Sequence, residues 1–576
     1  HAGRLGRAGG VPRSRHARTR RGARVTALVP ARSPVVRAAI LLLVLATALL
    51  ARTWMTWANP FVDGSKELRI PERVARGERL YGDVVCHYGP VPNWLHAAAF
   101  RAAGYRLTTP LLLLVPLAGL VFLSLFVLGR AAAGLEAAAW GTAWGLALAL
   151  VAPLGGALVL PYSYAGTHAL AFAALGLVLS LSPRPAALAG AAACWALALA
   201  SKQEYAVASM GAACLAHAVG RPFPRLLPVR VVAALGAGAL GGVGLFAWAL
   251  RGLPFSELAP DGPLVVFHLP EEWRTLYRFV SGLDRPAESL GAVAGSAVLV
   301  LLVLAFVEAA GRAEERLAGK TGVPSRTALL LRAAVAASLA AGVAFLLVTP
   351  FGRELDKAFP PLLASAPLVA LAAAVFLALR GSDATDSGRA RVAVLGFAGL
   401  ASLRVVLNVT YGWIAAPFTA FAAPALAVAA AVASFHLLRR RRAWLALVFS
   451  GVVALQAGRI FLQTEPARFG AVRTPAGTLR LPADRAATVR EALDFLAREA
   501  RPGDGLTGFP EAGLFNFALG MPNPTRLEQY LPGSLDAEGE ARFAERIREA
   551  GPRFVLVPNQ PTTLLGPVAF GRDYAR

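Results

Sequence analysis

The sequence predicts an all-α polytopic membrane protein with about 11–13 transmembrane helices and a small C-terminal α/β domain outside the membrane. Three observations carry the prediction. Of 576 residues, 56% are hydrophobic and only 16% charged, with a mean hydropathy of +0.55; soluble domains carry about 25% charge. Apolar runs of about 18–25 residues, the length that crosses the hydrocarbon core, recur along most of the chain. Beyond residue 464 those runs stop and charge rises.

The net charge of +24 raises the question of nucleic acid. Its distribution argues against it. Arg and Lys recur in short clusters between apolar runs, as orientation signals do, and few aromatic residues sit among them to stack on bases. The cysteines, Cys86, Cys194 and Cys214, are too few and too scattered for a disulfide framework.

Residues 1–33 are rich in Arg, Gly and Ala without apolar periodicity and read as a disordered basic tail. It either draws the chain to anionic lipid or is a solvated tail that only helps orientation. The chain begins at His1, which leaves open whether this tail belongs to the native protein. Residues 34–463 form the transmembrane part. Its helices are expected near 35–57, 107–129, 135–157, 161–182, 186–201, 204–220, 229–250, 287–310, 328–349, 361–380, 391–411, 413–437 and 443–463. The run at 34–57 is too long for a signal peptide and no A-x-A cleavage pattern follows it, so it reads as a first span.

Basic residues then set the orientation. With the N-terminus in the cytoplasm, the inner side receives Arg130, Arg184, the Arg221/Arg225/Arg230 group, Arg312 to Arg326, Arg380 to Arg391 and the run Arg439 to Arg442, a positive-inside pattern. The outer side receives a large first loop, 58–106, together with Lys202, 251–286, 350–360 and everything after 464. In a bacterial cell this layout puts residues 464–576 on the periplasmic side of the cytoplasmic (inner) membrane. In that last region, 484–500 reads as an amphipathic helix with Val489, Leu493 and Leu496 on one face. Short strands are expected at 506–509 and 554–557, with a helix at 537–550 between them, the alternation of an α/β domain.

Charge is expensive near a bilayer, so its densest outer cluster is informative. The first outer loop opens Trp-Ala-Asn-Pro-Phe-Val-Asp-Gly-Ser-Lys-Glu at 57–67. It continues Gly77-Glu78-Arg79-Leu80-Tyr81-Gly82-Asp83 and His87-Tyr88-Gly89-Pro90, and closes near Gly104. An Asp soon after a first apolar helix, an amphipathic segment, a Tyr-Gly-Pro turn and a short helix ending on Gly resemble the bacterial C-fold membrane glycosyltransferases. These are related in layout to protein O-mannosyltransferases and the lipid A aminoarabinose transferase. The Ser201-Lys202-Gln203-Glu204 and Asn523-Pro524-Thr525-Arg526 stretches look similar too.

The resemblance implies transfer of a sugar from a polyprenyl-phosphate carrier to an acceptor outside the cytoplasmic membrane, with inversion. Lipid, glycan and protein acceptors all stay open. Asp63 would be the general base, and a positioned carboxylate accepting the hydroxyl proton is worth typically 10²–10⁴-fold. Where many relatives carry an acidic pair, Asp63 is followed by Gly64; Glu67, one turn on, is the candidate second acid. Asp63 could instead cap a helix running through Glu67 to Arg76. Asp83 is the second catalytic candidate, or a turn residue. A leaving lipid phosphate needs cations, and Arg suits phosphate bidentately. Arg404, placed in the run 391–411 with Asn408 and Tyr411 on its face, is the leading candidate, against a structural ion pair or snorkelling. Lys202 is the second, with Glu204 beside it, though both could be a polar hairpin tip. His87 could assist at the phosphate, and Tyr88 could support the acceptor. His168 reads as a core histidine bonded to a neighbouring helix. Around His268, the residues Trp273, Leu276, Tyr277 and Val280 recur at helical spacing, as in a membrane-surface helix. Arg353, Glu354, Asp356 and Lys357 read as a solvated loop.

Asp83, Cys86 and His87 fit no zinc-ligand spacing, and no tight D-x-D follows the first helix, so no metal and no other cofactor is expected. Phosphate-loop, HExxH and G-x-S-x-G patterns are absent. The rival of a different class is a multi-pass transporter or lipid flippase, which would show two related halves with broken helices at matching positions.

Overall fold

The computed structural model describes residues 33–56, 63–151, 157–221, 227–254, 271–318, 326–352, 362–380, 384–408, 416–530 and 537–558. The N-terminal tail, Arg225, His268, the Arg353–Lys357 loop and Tyr411 lie outside the described residues.

Every predicted span contains a helix. In order these are α1 (Pro34–Arg52), α4 (Leu111–Ala133), α5 (Leu135–Ala149), α6 (Tyr164–Ser180), α7 (Pro185–Leu199), α8 (Gln203–Ala218), α9 (Val229–Leu250), α11 (Pro286–Ala318), α12 (Arg326–Val348), α13 (Ala366–Arg380), α14 (Asp386–Ala401), α15 (Ala416–Leu437) and α16 (Arg442–Gln463). Three further helices lie between spans: α2 (Gly64–Ala75) and α3 (Pro90–Ala103) in the first outer loop, and α10 (Glu271–Ser281). Among the described residues, seven helical stretches are long and apolar enough to cross a membrane. The chain is a multi-pass membrane protein. Leu41, Leu43, Leu301, Leu302 and Leu330 stand exposed on its outside, where only lipid removes the cost of apolar surface in water.

Helix ends follow local chemistry. Ser33 accepts from the Val36 N–H at 3.4 Å, with Pro34 following as the first helical residue. That pairing satisfies an orphan donor where proline's missing N–H is harmless. Thr385 caps α14 the same way, accepting from Gly388 N at 3.2 Å. Small residues let the central spans approach: a Cβ on Gly141 of α5 would come within 2.8 Å of Val428 Cα on α15, the close backbone contact that membrane helices favour.

One boundary differs from the sequence expectation with consequences, and one basic run is more than an orientation signal. The run 391–411 is not one helix. The α14 helix ends at Ala401, and Arg404 sits on a separate 3₁₀ turn, Leu403–Val405, so the expected shared face with Asn408 does not form. The run 439–442 is not a simple solvated stop. Arg441 is buried and pairs with Glu308 at 3.0 Å and with Glu315, while Trp444 Nε1 donates to Glu314 at 2.8 Å. Charges on α11 thereby neutralise part of the basic run.

After α16 come a hairpin, β1 (Phe469–Thr474) and β2 (Gly477–Pro482), then α17 (Ala483–Glu499), β3 (Leu506–Gly508), α18 (Gly513–Leu519), α19 (Ala537–Ala550) and β4 (Phe554–Leu556). The predicted helices and strands are present, and β3 pairs with β4 in parallel through Leu506↔Phe554 and Gly508↔Leu556. The hairpin and α18 were not foreseen. Both tie this region to the first outer loop. Arg480 N donates to Met55 O at 3.0 Å, Leu107 N donates to Ala476 O at 2.9 Å, and α18 packs on α2.

Candidate functional site

The site forms where the first outer loop, the α7–α8 corner, the turn after α14 and the segment from 505 to 530 meet on one face of the bundle. Local geometry explains the meeting. Gly89 N donates to Ser201 O at 3.0 Å and Val91 N to Ala200 O at 3.1 Å. A Cβ on Gly89 would lie 2.1 Å from Ala200 O, so only glycine lets the Tyr-Gly-Pro turn dock on that corner. Docking puts the Tyr88 ring against Lys202, whose Nζ lies 5.2 Å from the ring centroid, and Lys66 Nζ lies 5.9 Å from the same ring. Two ammonium groups share one aromatic ring, each gaining cation–π attraction.

Lys202 is buried among three rings, Tyr88, Tyr162 and Phe421, and donates to the Tyr162 hydroxyl at 2.8 Å. Its Nζ lies 3.6 Å from Glu204 Oε1, and that same oxygen accepts from Arg404 Nη1 at 3.2 Å. Arg404 also stacks over the Tyr277 ring at 4.8 Å. Tyr277 belongs to α10, the helix expected from the spacing of Trp273 and its neighbours. Trp273 of α10 packs edge-on against His87, centroids 5.2 Å apart. The α10 helix is fixed to the Arg404 turn by Leu407 N donating to Ser281 O at 3.2 Å and Asn408 Nδ2 to Phe279 O at 3.3 Å.

Asp63 stands at the start of α2 with φ 60°, in the left-handed region, and its side chain makes no cap hydrogen bond. The capping expectation is therefore not realised. Its Oδ1 instead accepts from Lys66 Nζ and, at 3.1 Å, from Gln529 Nε2. The backbone N–H of Asp63 donates to Glu511 Oε2 at 2.7 Å. Oδ2 takes no hydrogen bond among the described residues, and the side chain keeps 29% exposure. A carboxylate gripped through one oxygen and partly exposed can accept a proton from something that approaches it.

Glu67 is buried one turn on, where its carboxylate accepts from Tyr164 N at 2.6 Å at the head of α6. Burial pushes its pKa up to about 7, with Lys66 pulling the other way. For Lys66, burial opposes the charge, but Asp63, Glu511 and Glu67 outweigh it and hold the ammonium above the usual lysine range. Burial, then the Asp63 charge, pushes Glu511 up to about 8.

The structure thus brings Asp63, Glu67, Tyr88, Lys202, Glu204 and Arg404 into one cluster, with His87 at its edge. Asp83 lies elsewhere: exposed, its carboxylate accepts from the Arg79 N–H at 2.7 Å, and its carbonyl from Arg73 at 3.1 Å. That is turn chemistry. His168 is a buried residue as expected, but Nδ1 contacts Tyr164 O of its own helix at 2.8 Å rather than a neighbouring one. No group of three or more potential metal ligands occurs among the described residues.

Sequence reasoning missed Lys66, Tyr162, Glu511 and Gln529. Lys66 was within the quoted motif without a role. The Asn523–Arg526 stretch did signal the region: Val85 N donates to Arg526 O at 2.9 Å and Arg73 Nη1 to Thr525 O at 2.8 Å. Gln529 follows three residues later. Behind it, Glu528 meets Arg73 at 2.9 Å and Arg69 at 3.7 Å in a buried charge network that also takes in Glu72 and Glu78.

No protein-family model and no curated protein matches the chain. Solved structures do. The chain is similar to ArnT from Cupriavidus metallidurans in the apo state, at 15% identity and a TM-score of 0.40, covering 91% of this chain and 90% of that one. It is similar to the same protein bound to undecaprenyl phosphate at 15% identity and a TM-score of 0.41, covering 91% and 89%. The archaeal oligosaccharyltransferase AglB from Archaeoglobus fulgidus, in complex with an inhibitory peptide and a dolichol-phosphate, gives 12% identity and a TM-score of 0.41, covering 90% of this chain and 69% of that one. ArnT is the lipid A aminoarabinose transferase, a class already named for the first-outer-loop pattern.

Proposed function

We propose that this protein transfers a sugar from a polyprenyl-phosphate carrier to an acceptor hydroxyl at the outer face of the bacterial cytoplasmic membrane. The observation that carries the reading is the convergence of a partly exposed carboxylate, Asp63, whose partner Lys66 shares the Tyr88 ring with Lys202, with a second cation, Arg404, joined to Lys202 through Glu204.

In this reading Asp63 Oδ2 takes the proton of the acceptor hydroxyl as its oxygen attacks the anomeric carbon. The bond from that carbon to the carrier's phosphate oxygen breaks, and its electron pair leaves on the phosphate. Attack opposite the leaving group inverts the anomeric centre. The phosphate gains negative charge as it leaves, and Lys202 and Arg404 stabilise that charge best in a site with little water. Arg404 reaches the phosphate by exchanging its Glu204 partner for it. Glu67 keeps Lys66 and the start of α2 in place, and the segment after 464 shapes acceptor access.

The test uses the full chain in nanodiscs with a panel of polyprenyl-phosphate sugars, following release of free polyprenyl phosphate. Asp63→Asn is expected to fold, with a melting temperature lowered by the lost charge pairing to Lys66, and to lose at least 100-fold in turnover, the scale of a general base. Near-normal turnover by Asp63→Asn would sink the assignment of the base.

A further inference from the structure

We infer that Glu511 and Gln529 are positioning residues for Asp63, so that the carboxylate at the start of α2 is aimed by the C-terminal part of the chain. This deepens the proposed function and rests on Asp63 as the base.

The backbone at Asp63 is strained. A non-glycine residue at φ 60° and ψ −43° is costly, and such conformations persist only where the surroundings over-determine them. The N-terminal stretch of α2 supplies little help, because the Asp63 side chain makes no cap bond to its own helix. Beside Lys66, which meets Oδ1 from the first turn of α2, what fixes the residue comes from 448 and 466 positions further along the chain. Glu511 Oε2 holds the Asp63 N–H at 2.7 Å, and Gln529 Nε2 holds Oδ1 at 3.1 Å. Gln529 also accepts from Lys66 Nζ at 2.8 Å through Oε1 and donates to Glu511 Oε1 through Nε2. One amide therefore links both carboxylates and the lysine between them.

This clamp is itself anchored. Glu511 and Gln529 are 2% and 9% exposed. They lie on separate strands of chain, joined by Tyr530 N donating to Pro510 O at 2.8 Å. The neighbouring Glu528 is locked to Arg73 of α2 at 2.9 Å, and α18, which follows Glu511, packs on α2. The clamp and the helix that carries Asp63 thus move as one body. With Oδ1 and the N–H both taken, rotation about the Asp63 side chain is stopped and Oδ2 has one direction left. A carboxylate misplaced by about 1 Å can cost a reaction of this kind roughly 10²-fold. Lys202 is held by Tyr162 and Glu204, and Arg404 by Glu204 and Tyr277, which are not the clamp residues, so donor binding is separable from aim.

The experiment measures kcat and the donor KM for wild type, Asp63→Asn, Glu511→Ala, Glu511→Gln and Gln529→Met, each as the full chain in nanodiscs. Hydrogen–deuterium exchange is followed over the start of α2. The expected result is that Glu511→Ala and Gln529→Met lower kcat at least 10-fold with donor KM within 2-fold of wild type. Glu511→Ala should also speed exchange at the start of α2. Glu511→Gln, whose amide oxygen still accepts from the Asp63 N–H while its amide nitrogen cannot accept from Gln529, should recover part of the kcat. A folded Glu511→Ala or Gln529→Met with wild-type kcat overturns the inference, as does a loss that appears in donor KM instead. Asp63→Asn separates the two levels. If it is inactive while the clamp variants are normal, only the positioning role fails; if it is active, the base assignment fails. Should Glu511→Ala not fold, Gln529→Met and Glu511→Gln carry the same comparison.

Discussion

At the scale of single residues, the cluster is a set of charges that burial and proximity have tuned against each other. Glu67 and Glu511 are both pushed up, to about 7 and about 8, because burial disfavours the ionised form and neighbouring Asp63 adds like charge. The unfolded chain releases these protons at the ordinary carboxylate pKa near 4.5, while the folded protein still holds them. Between those values the folded state binds more protons, so stability falls as pH rises and the penalty is complete above about pH 8. The expected outcome is a melting temperature in detergent that declines from pH 5 to 8. Glu511→Gln, which cannot ionise, should flatten that decline. A slope unchanged by this substitution would show that Glu511 does not titrate in the range. The residues behind this behaviour differ in how visible they were. Asp63, Lys202 and Arg404 could be picked from charge beside apolar runs. Glu511 and Gln529 could not, because their importance comes from contacts across more than 440 residues and no local pattern encodes those.

At the scale of elements, the turn at Gly89 is the joint on which the site depends. It carries Tyr88 to Lys202 and Lys66, and its tolerance is set by backbone. A Cβ there would meet Ala200 O at 2.1 Å and Ser201 N at 2.8 Å, and neither atom can swing away as a side-chain tip would. Gly89→Ala is therefore expected to lower stability by about 1–3 kcal/mol, the usual cost of overpacking. It should also raise the donor KM, because Lys202 loses its Tyr88 neighbour. Melting temperature and donor kinetics measured together check this, and a variant matching wild type in both would refute the docking argument. The α2 helix is the second critical element. Its polar side is buried rather than solvated, with Arg69 and Arg73 meeting Glu528 and Glu72 meeting Arg69. Ionic networks of this kind hold register, since a charge that loses its partner in a buried place is strongly destabilising. Amphipathic spacing exposed α2, α10 and α17 in the sequence. It could not expose the break after Ala401, because apolar composition continues through Leu403, Val405 and Val406 and hydropathy alone does not register where a helix stops.

At the scale of the whole molecule, apolar runs located every spanning helix among the described residues, since the bilayer demands length and composition that few other settings produce. The hairpin of β1 and β2 was missed because its strands are short and mixed in polarity, and because it is held by the first outer loop as much as by itself. The loops assigned to one side from their charge do gather on one face: the first outer loop, the α7–α8 corner, α10 and the segment after α16. The Arg441–Glu308–Glu315 group and the Arg332–Glu314 pair gather with the opposite loops. Which face is outside follows from the charge rule alone, and it can be measured. Asp494, exposed on α17, and Arg312, exposed on α11, can each be replaced by cysteine in a background with Cys86, Cys194 and Cys214 changed to serine. Spheroplasts are then treated with a membrane-impermeant maleimide. The Asp494→Cys variant should label in intact cells, and Arg312→Cys only after permeabilisation. The reverse pattern would place the site in the cytoplasm and remove the outer-face chemistry with it. Labelling of both positions in intact cells would contradict the partition of loops itself, because the helices between these two positions must then cross an even number of times.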